Sequence, residues 1–291
     1  MSETAMESRG VTGMNPEPRQ REDYSARQIE AAHRVLVDLG QVLKQFEDCL
    51  VVVGGWIPDL LIPESDEPHV GSIDVDLALD AEKLAEGRYA KLLDTLLNTR
   101  RYKQADEPFR LFAEVDLQDG ETPIRVDVDF LKSPDTKTKK NNPKLKEGFR
   151  PLDASGCHAA FEHPELVVIT GKMIKGQTNK VQFRVASIAD FLIMKSYALA
   201  NRDKPKDAYD ICFCLDNFPG GLKELAANWK KRPGDKDVAK GIEILREKFA
   251  KVDSYGPVQV VEFHNSNNGE ERERQARRAF ELVRAFLEQA G

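Results

Sequence analysis

Aspartate is a poor strand former, yet five aspartates of this chain fall in two short runs of strand-like alternation. In Ser72-Ile73-Asp74-Val75-Asp76-Leu77-Ala78-Leu79-Asp80, an extended chain puts Ile73, Val75, Leu77 and Leu79 on one face. Asp74, Asp76 and Asp80 fall on the other. The second run repeats the pattern, with Ile124, Val126, Val128 and Phe130 opposed to Arg125, Asp127 and Asp129. A solvated polar face is the plain reading. Against it, exposed strand faces favour Thr, Lys and Arg, and like charges across strands destabilise a sheet. A cation that offsets the repulsion is the chemical reading, and oxygen ligands at this density select Mg2+ or Mn2+.

Two further features could join that site. Gly54-Gly55 follows the apolar run Leu50 to Val53 and precedes a short helical stretch, Trp56 to Leu61. Glycines between strand and helix let backbone N–H groups approach a phosphate, although such a pair also serves as an ordinary tight turn. No Gly-Lys-Ser/Thr follows, so this is no Walker loop. The second feature is Lys195. It lies four residues from both Phe191 and Leu199 and three from Leu192, inside the apolar stripe of a helix from Ile188 to Arg202. Such a lysine either snorkels to water or meets a buried anion. The next helix begins at Lys206-Asp207-Ala208-Tyr209-Asp210, with Asp207 and Asp210 on one face.

These residues need a scaffold, and the chain has one. It has 291 residues, 41% hydrophobic and 32% charged, with a net charge of −6. That supports one large domain or two modest ones and excludes a wholly disordered chain. No apolar run approaches the ~20 residues a bilayer requires. Residues 1–23 lack the apolar region of a signal peptide and read as a solvated tail. Four cysteines, Cys49, Cys157, Cys212 and Cys214, form no CxxC pair, which suits a reducing cytoplasm. Helical periodicity runs from Ser25 to Leu43 and again from Ala81 to Asn98. Strands are expected at 50–53, 72–80, 109–117, 124–131, 166–169 and 181–185. Beyond Ser187 the pattern is helical to Ala290, with one extended stretch at Val258 to Phe263. The expected organisation is an α+β mixed-sheet core over 24–186 with flanking helices, and a helical domain over 187–291.

In this order, Gly54-Gly55, Ser72-Ile73-Asp74-Val75-Asp76 and Arg125-Val126-Asp127-Val128 resemble the nucleotidyltransferase-fold pattern of DNA polymerase beta-like enzymes. Lys195 to Arg202 with Lys206-Asp207-Ala208-Tyr209-Asp210-Ile211 is similar to the AbiEii/AbiGii-type nucleotidyltransferase toxins of abortive-infection and toxin–antitoxin systems. The resemblance spans about 30–215. It implies an enzyme that moves a nucleotide from an NTP to an acceptor such as a tRNA end, with magnesium and a cognate antitoxin. It further implies that Asp74, Asp76 and Asp127 hold the metal. Gly54, Gly55, Ser72 and Lys195 would hold the nucleotide, with Asp207 and Asp210 orienting either Lys195 or the nucleotide. Gly55 departs from the pattern, since many related transferases carry Ser there.

Other readings stay open. Acidic strands and lysine also serve a metal-dependent nuclease, with Asp129 and Lys132 as a loose acid-x-x-Lys echo, and a non-catalytic nucleotide-binding partner is the third class. Lys132, Lys137, Lys139, Lys140, Lys144 and Lys146 suit either a solvated loop or an RNA-backbone contact. Trp56 could stack a base or pack in the core. The five histidines, His69 among them, show no metal-ligand spacing and are expected at the surface or in packing.

Overall fold

A computed structural model describes residues 17–84, 87–134 and 148–291. The chain opens with a 3-10 turn at Arg21–Asp23 and then α1, Ala26–Val42. Ser25 caps this helix: its hydroxyl accepts from the Gln28 N–H while the Gln28 side chain accepts from the Ser25 N–H, satisfying two orphan donors. The expected tail lies outside the described residues up to 16. From Glu17 onward the chain is held, with Arg19 donating to Glu262 and Asp203.

The sheet follows: β1 Leu50–Val53, α2 Trp56–Leu61, β2 Val75–Leu79, α3 Arg88–Asn98, β3 Tyr102–Gln104, β4 Arg110–Val115, β5 Ile124–Lys132, β6 Leu152–Asp153, β7 Glu165–Lys172 and β8 Thr178–Val185. Its strand order is β3-β4-β5-β2-β1-β8-β7, with β6 paired to β5. β2 runs antiparallel to β1 and parallel to β5, so the sheet is mixed. The β-branched run of β1 is fully buried, as a central strand requires. Ala31, Ala32, Val35, Leu36 and Leu39 of α1 form the stripe that covers one face of the sheet.

From Ile188 the chain is helical: α4 Ile188–Asn201, α5 Pro205–Asn217, α6 Gly221–Lys230, α7 Lys236–Lys248, α8 Tyr255–His264 and α9 Gly269–Ala290. The protein is therefore α+β, a mixed sheet with helices followed by a run of helices. Among the described residues no helix is long and apolar enough to cross a membrane.

Two expectations need correction. Val258 to Phe263 is not extended but lies within α8. Its β-branched residues disfavour a helix only weakly, and burying Val260, Val261 and Phe263 outweighs that preference. The helix expected from Ala81 begins at Arg88, because Gly87 takes a left-handed conformation at φ 85° and Asp80 to Leu84 form a turn.

Candidate active site

The acidic half is built by strand register. Val53 at the end of β1 lies opposite Asp76 of β2, so the turn after β1 is pressed against that carboxylate. Gly54 takes φ +75°, and a Cβ there would sit 1.9 Å from Asp76 Oδ2. A Cβ on Gly55 would lie 2.6 Å from Ser72 Oγ and 3.1 Å from Lys206 Nζ. The Ser72 hydroxyl donates to Asp74 Oδ1 at 2.6 Å, and Trp56 Nε1 donates to the Asp74 carbonyl at 2.8 Å. Trp56 is thus a buried fixture of the Asp74 backbone and no base-stacking surface.

β5 supplies the neighbouring carboxylates. Its parallel register puts Asp129, not Asp127, opposite Asp76. Asp129 is gripped by Arg110, its cross-strand partner on β4, through Nε at 2.6 Å and Nη2 at 2.8 Å. Asp127 is more exposed and receives Arg125 Nε at 2.8 Å and Arg110 Nη1 at 3.2 Å. Burial, with Asp74 and Asp129 nearby, pushes the Asp76 carboxyl up to about 7. Burial works the same way on Asp74, but Lys204, the Ser72 hydroxyl, Lys206 and Lys195 outweigh it and hold Asp74 below the usual range. Burial raises Asp129 despite Arg110. Adjacent carboxyl groups, one of them raised toward neutrality by burial and its acidic neighbours, fit a hard divalent cation that would displace its proton.

The basic half stands on α4 and α5. Lys195 does not snorkel. It is 7% exposed, with Nζ 2.7 Å from Asp207 Oδ1 and 2.8 Å from Asp210 Oδ2. Lys206 Nζ lies 2.7 Å from Asp210 Oδ1, and Arg202 donates to Asp207 at 2.7 and 2.9 Å. Asp207 and Asp210 are fully buried behind the cations they hold. Burial opposes their ionisation, but Lys195 and Arg202 hold Asp207 at about 2, and Lys195, Lys206 and His69 hold Asp210 well below its usual range. Lys195 stays charged because Asp207 and Asp210 outweigh its burial.

The sequence thus marked Gly54, Gly55, Ser72, Asp74, Asp76, Lys195, Asp207 and Asp210, and the fold gathers them around the Gly-Gly turn. Asp127 lies two residues along β5 from the carboxylate facing Asp76. Sequence reasoning passed over Lys206, whose i, i+4 spacing to Asp210 was a readable signal. It also missed Arg110 and His69. His69 is buried, with one ring nitrogen 2.9 Å from Asp210 Oδ1 and the other accepting from the Gly71 N–H at 3.1 Å. Lys132, the lysine of the acid-x-x-Lys echo, is paired with Asp153; the lysines from 137 to 146 lie outside the described residues.

Elsewhere Glu162, His163 and Asp190 bring ligand atoms within 4.8 Å of one another. Arg232 already reaches all three, its Nη2 lying 2.7 Å from Asp190 Oδ1, so the cation there is a guanidinium. A cleft of about 750 Å3 lined by Tyr209, Phe213, His264 and Arg274 contains none of the site residues.

Paired strand aspartates under a Gly-Gly turn, faced by carboxylate-held lysines, form the candidate site of the nucleotidyltransferase that the sequence resemblance implied. The comparison with known families agrees: the model described as nucleotidyl transferase AbiEii toxin, type IV TA system, matches residues 39–289, and the chain belongs to that family. It is a nucleotidyltransferase toxin of a type IV toxin–antitoxin system, and membership implies an NTP substrate and an antitoxin partner. None of the curated proteins compared matches it.

Proposed function

We propose that this toxin transfers an NMP from an NTP to RNA, with a tRNA end as acceptor, in the cytoplasm. The observation that carries the reading is the meeting of opposite charges at one turn. Asp76 closes on Gly54, while Lys206 and the Asp74 partner Ser72 close on Gly55. An NTP brings both halves together, since its phosphates need cations and its reacting hydroxyl needs an acidic, metal-holding site. Asp74, Asp76 and Asp129 would hold Mg2+ or Mn2+, which lowers the pKa of the attacking hydroxyl and screens the phosphates. Register beside Asp76 and deeper burial favour Asp129 over Asp127 as the third carboxylate. Lys195 and Lys206 supply fixed positive charge for the phosphates, and Ser72 holds the Asp74 carboxylate in place. In this reading 24–186 is the catalytic core and 187–291 a helical domain that brings the lysines over it.

Incubation with each α-labelled NTP, Mg2+ and total tRNA tests the proposal. Label should pass to tRNA, and Asp74→Ala or Asp76→Ala should reduce the rate at least ~10³-fold. Shortened RNA would make the protein a nuclease, and neither outcome would leave a nucleotide-binding partner.

A further inference from the structure

His69 has no direct route to a substrate, because both ring nitrogens are engaged and the side chain is fully enclosed. Its surroundings show what it does. Gly71 N–H points at Nδ1, so that nitrogen must be the acceptor and the proton must sit on Nε2. Nε2–H then donates to Asp210 Oδ1, the oxygen that also receives Lys206, while the other oxygen of Asp210 meets Lys195. On the chain side, His69 is three residues before Ser72 and five before Asp74. The ring is fixed by Tyr209, stacked at 5.4 Å and 19°, and by the edge of Phe213 at 4.8 Å. The imidazole therefore joins two segments that are 141 residues apart in sequence.

We propose that His69 is a positioning residue for nucleotidyl transfer: through the Nε2–H bond to Asp210 it sets the spacing between the Asp74/Asp76 pair and the Lys195/Lys206 pair. This rests on the site assignment above. Without the bond, Asp210 keeps both lysines and the NTP still finds them. The loop from His69 to Asp74 then loses its tie to the carboxylate that holds the lysines, keeping to α5 the Tyr209 contact with the Val70 backbone and the packing on Tyr209 and Phe213, and the acidic pair is offset from the phosphates. Such an offset costs rate more than affinity, because reacting groups must be aligned to within fractions of an ångström.

Three substitutions separate this role from packing. His69→Gln keeps an N–H donor near the Nε2 position. His69→Asn keeps an acceptor for Gly71 but loses the donor to Asp210. His69→Phe keeps the aromatic packing and loses both bonds. Expected, well below each variant's thermal midpoint, is a fall in kcat of roughly 10- to 100-fold for Asn and Phe, KM for NTP within about threefold, and substantial rescue by Gln. Losses equal in Gln and Asn, near-wild-type kcat in Phe, or losses that simply follow the midpoints would overturn the proposal. The ring itself gives a readout that needs no turnover: long-range 1H–15N spectra of the full-length protein at pH 7 should show a neutral Nε2–H tautomer, and an Nδ1–H or charged ring would refute it. Asp74→Ala in the same transfer assay keeps the two readings apart, because its loss of activity upholds the site whatever the His69 variants do.

Discussion

Gly54 and Asp76 share a space with no room for one more carbon: a Cβ on Gly54 would stand 1.9 Å from Asp76 Oδ2. The glycine is also left-handed, at φ +75°, where an L side chain costs about 1–2 kcal/mol. Gly54→Ala should therefore lower the thermal midpoint and reduce transfer by ~10²-fold or more, by displacing the carboxylate. Gly55→Ala is the comparison. Gly55 has φ −68°, and its nearest obstacle is the rotatable Ser72 hydroxyl, so it should lose less of both quantities. A Gly54→Ala enzyme with unchanged rate would separate the turn from the site.

Asp127 and Asp129 offer a test of register. The sequence resemblance implied Asp127, whereas pairing across β2 puts Asp129 next to Asp76. Asp129→Asn should cost at least tenfold more activity than Asp127→Asn, measured as initial transfer rate at saturating Mg2+. The reverse order would return the third metal position to Asp127.

What could be read in the chain beforehand was what local period encodes. Alternation exposed the aspartate faces of β2 and β5, and a misplaced polar residue in a helical stripe exposed Lys195. Strand pairing is not local. Nothing near Asp129 in sequence announces Arg110, which reaches it only because β4 pairs antiparallel with β5. His69 shows no metal-ligand spacing, and its partner Asp210 is brought to it by the packing of α5 against α2 and α4. Val258 to Phe263 misled for a related reason: β-branched composition is a weak preference, and the burial that overrode it depends on α8 having neighbours.

Burial is the main cause that brings His69 down to about 4, helped by Lys206, while the bond to Asp210 opposes it. The sign follows directly. The unfolded ring takes up a proton near pH 6.5 and the folded ring does not until about 4, so between those values the unfolded state binds more protons. This contribution to stability is complete above pH 6.5 and declines as pH falls to about 4. Denaturant titrations should show wild type losing stability relative to His69→Gln over that window. A constant difference from pH 7 to 4 would mean the ring titrates alike in both states.

Lys195→Met keeps the stem and removes the charge that bridges two buried carboxylates. From sequence alone, removing a charge from an apolar stripe should leave the fold as stable or more so. The geometry reverses that expectation. Asp207 retains Arg202 at 2.7 Å and Asp210 retains Lys206 at 2.7 Å and His69 at 2.9 Å, so neither becomes an orphan, but Asp207 loses an ionic hydrogen bond and Asp210 Oδ2 its ion-pair contact. A loss of about 1–3 kcal/mol is expected, short of the 3–5 that follows when a buried charge is stranded. Transfer should fall further, by about 2–4 kcal/mol in transition-state terms, if Lys195 has the phosphate-facing role proposed above. Thermal midpoint and initial rate, measured on the same variant below its midpoint, separate the two effects. If stability drops while the rate per folded molecule holds, Lys195 ties α4 to α5 and has no part in the chemistry.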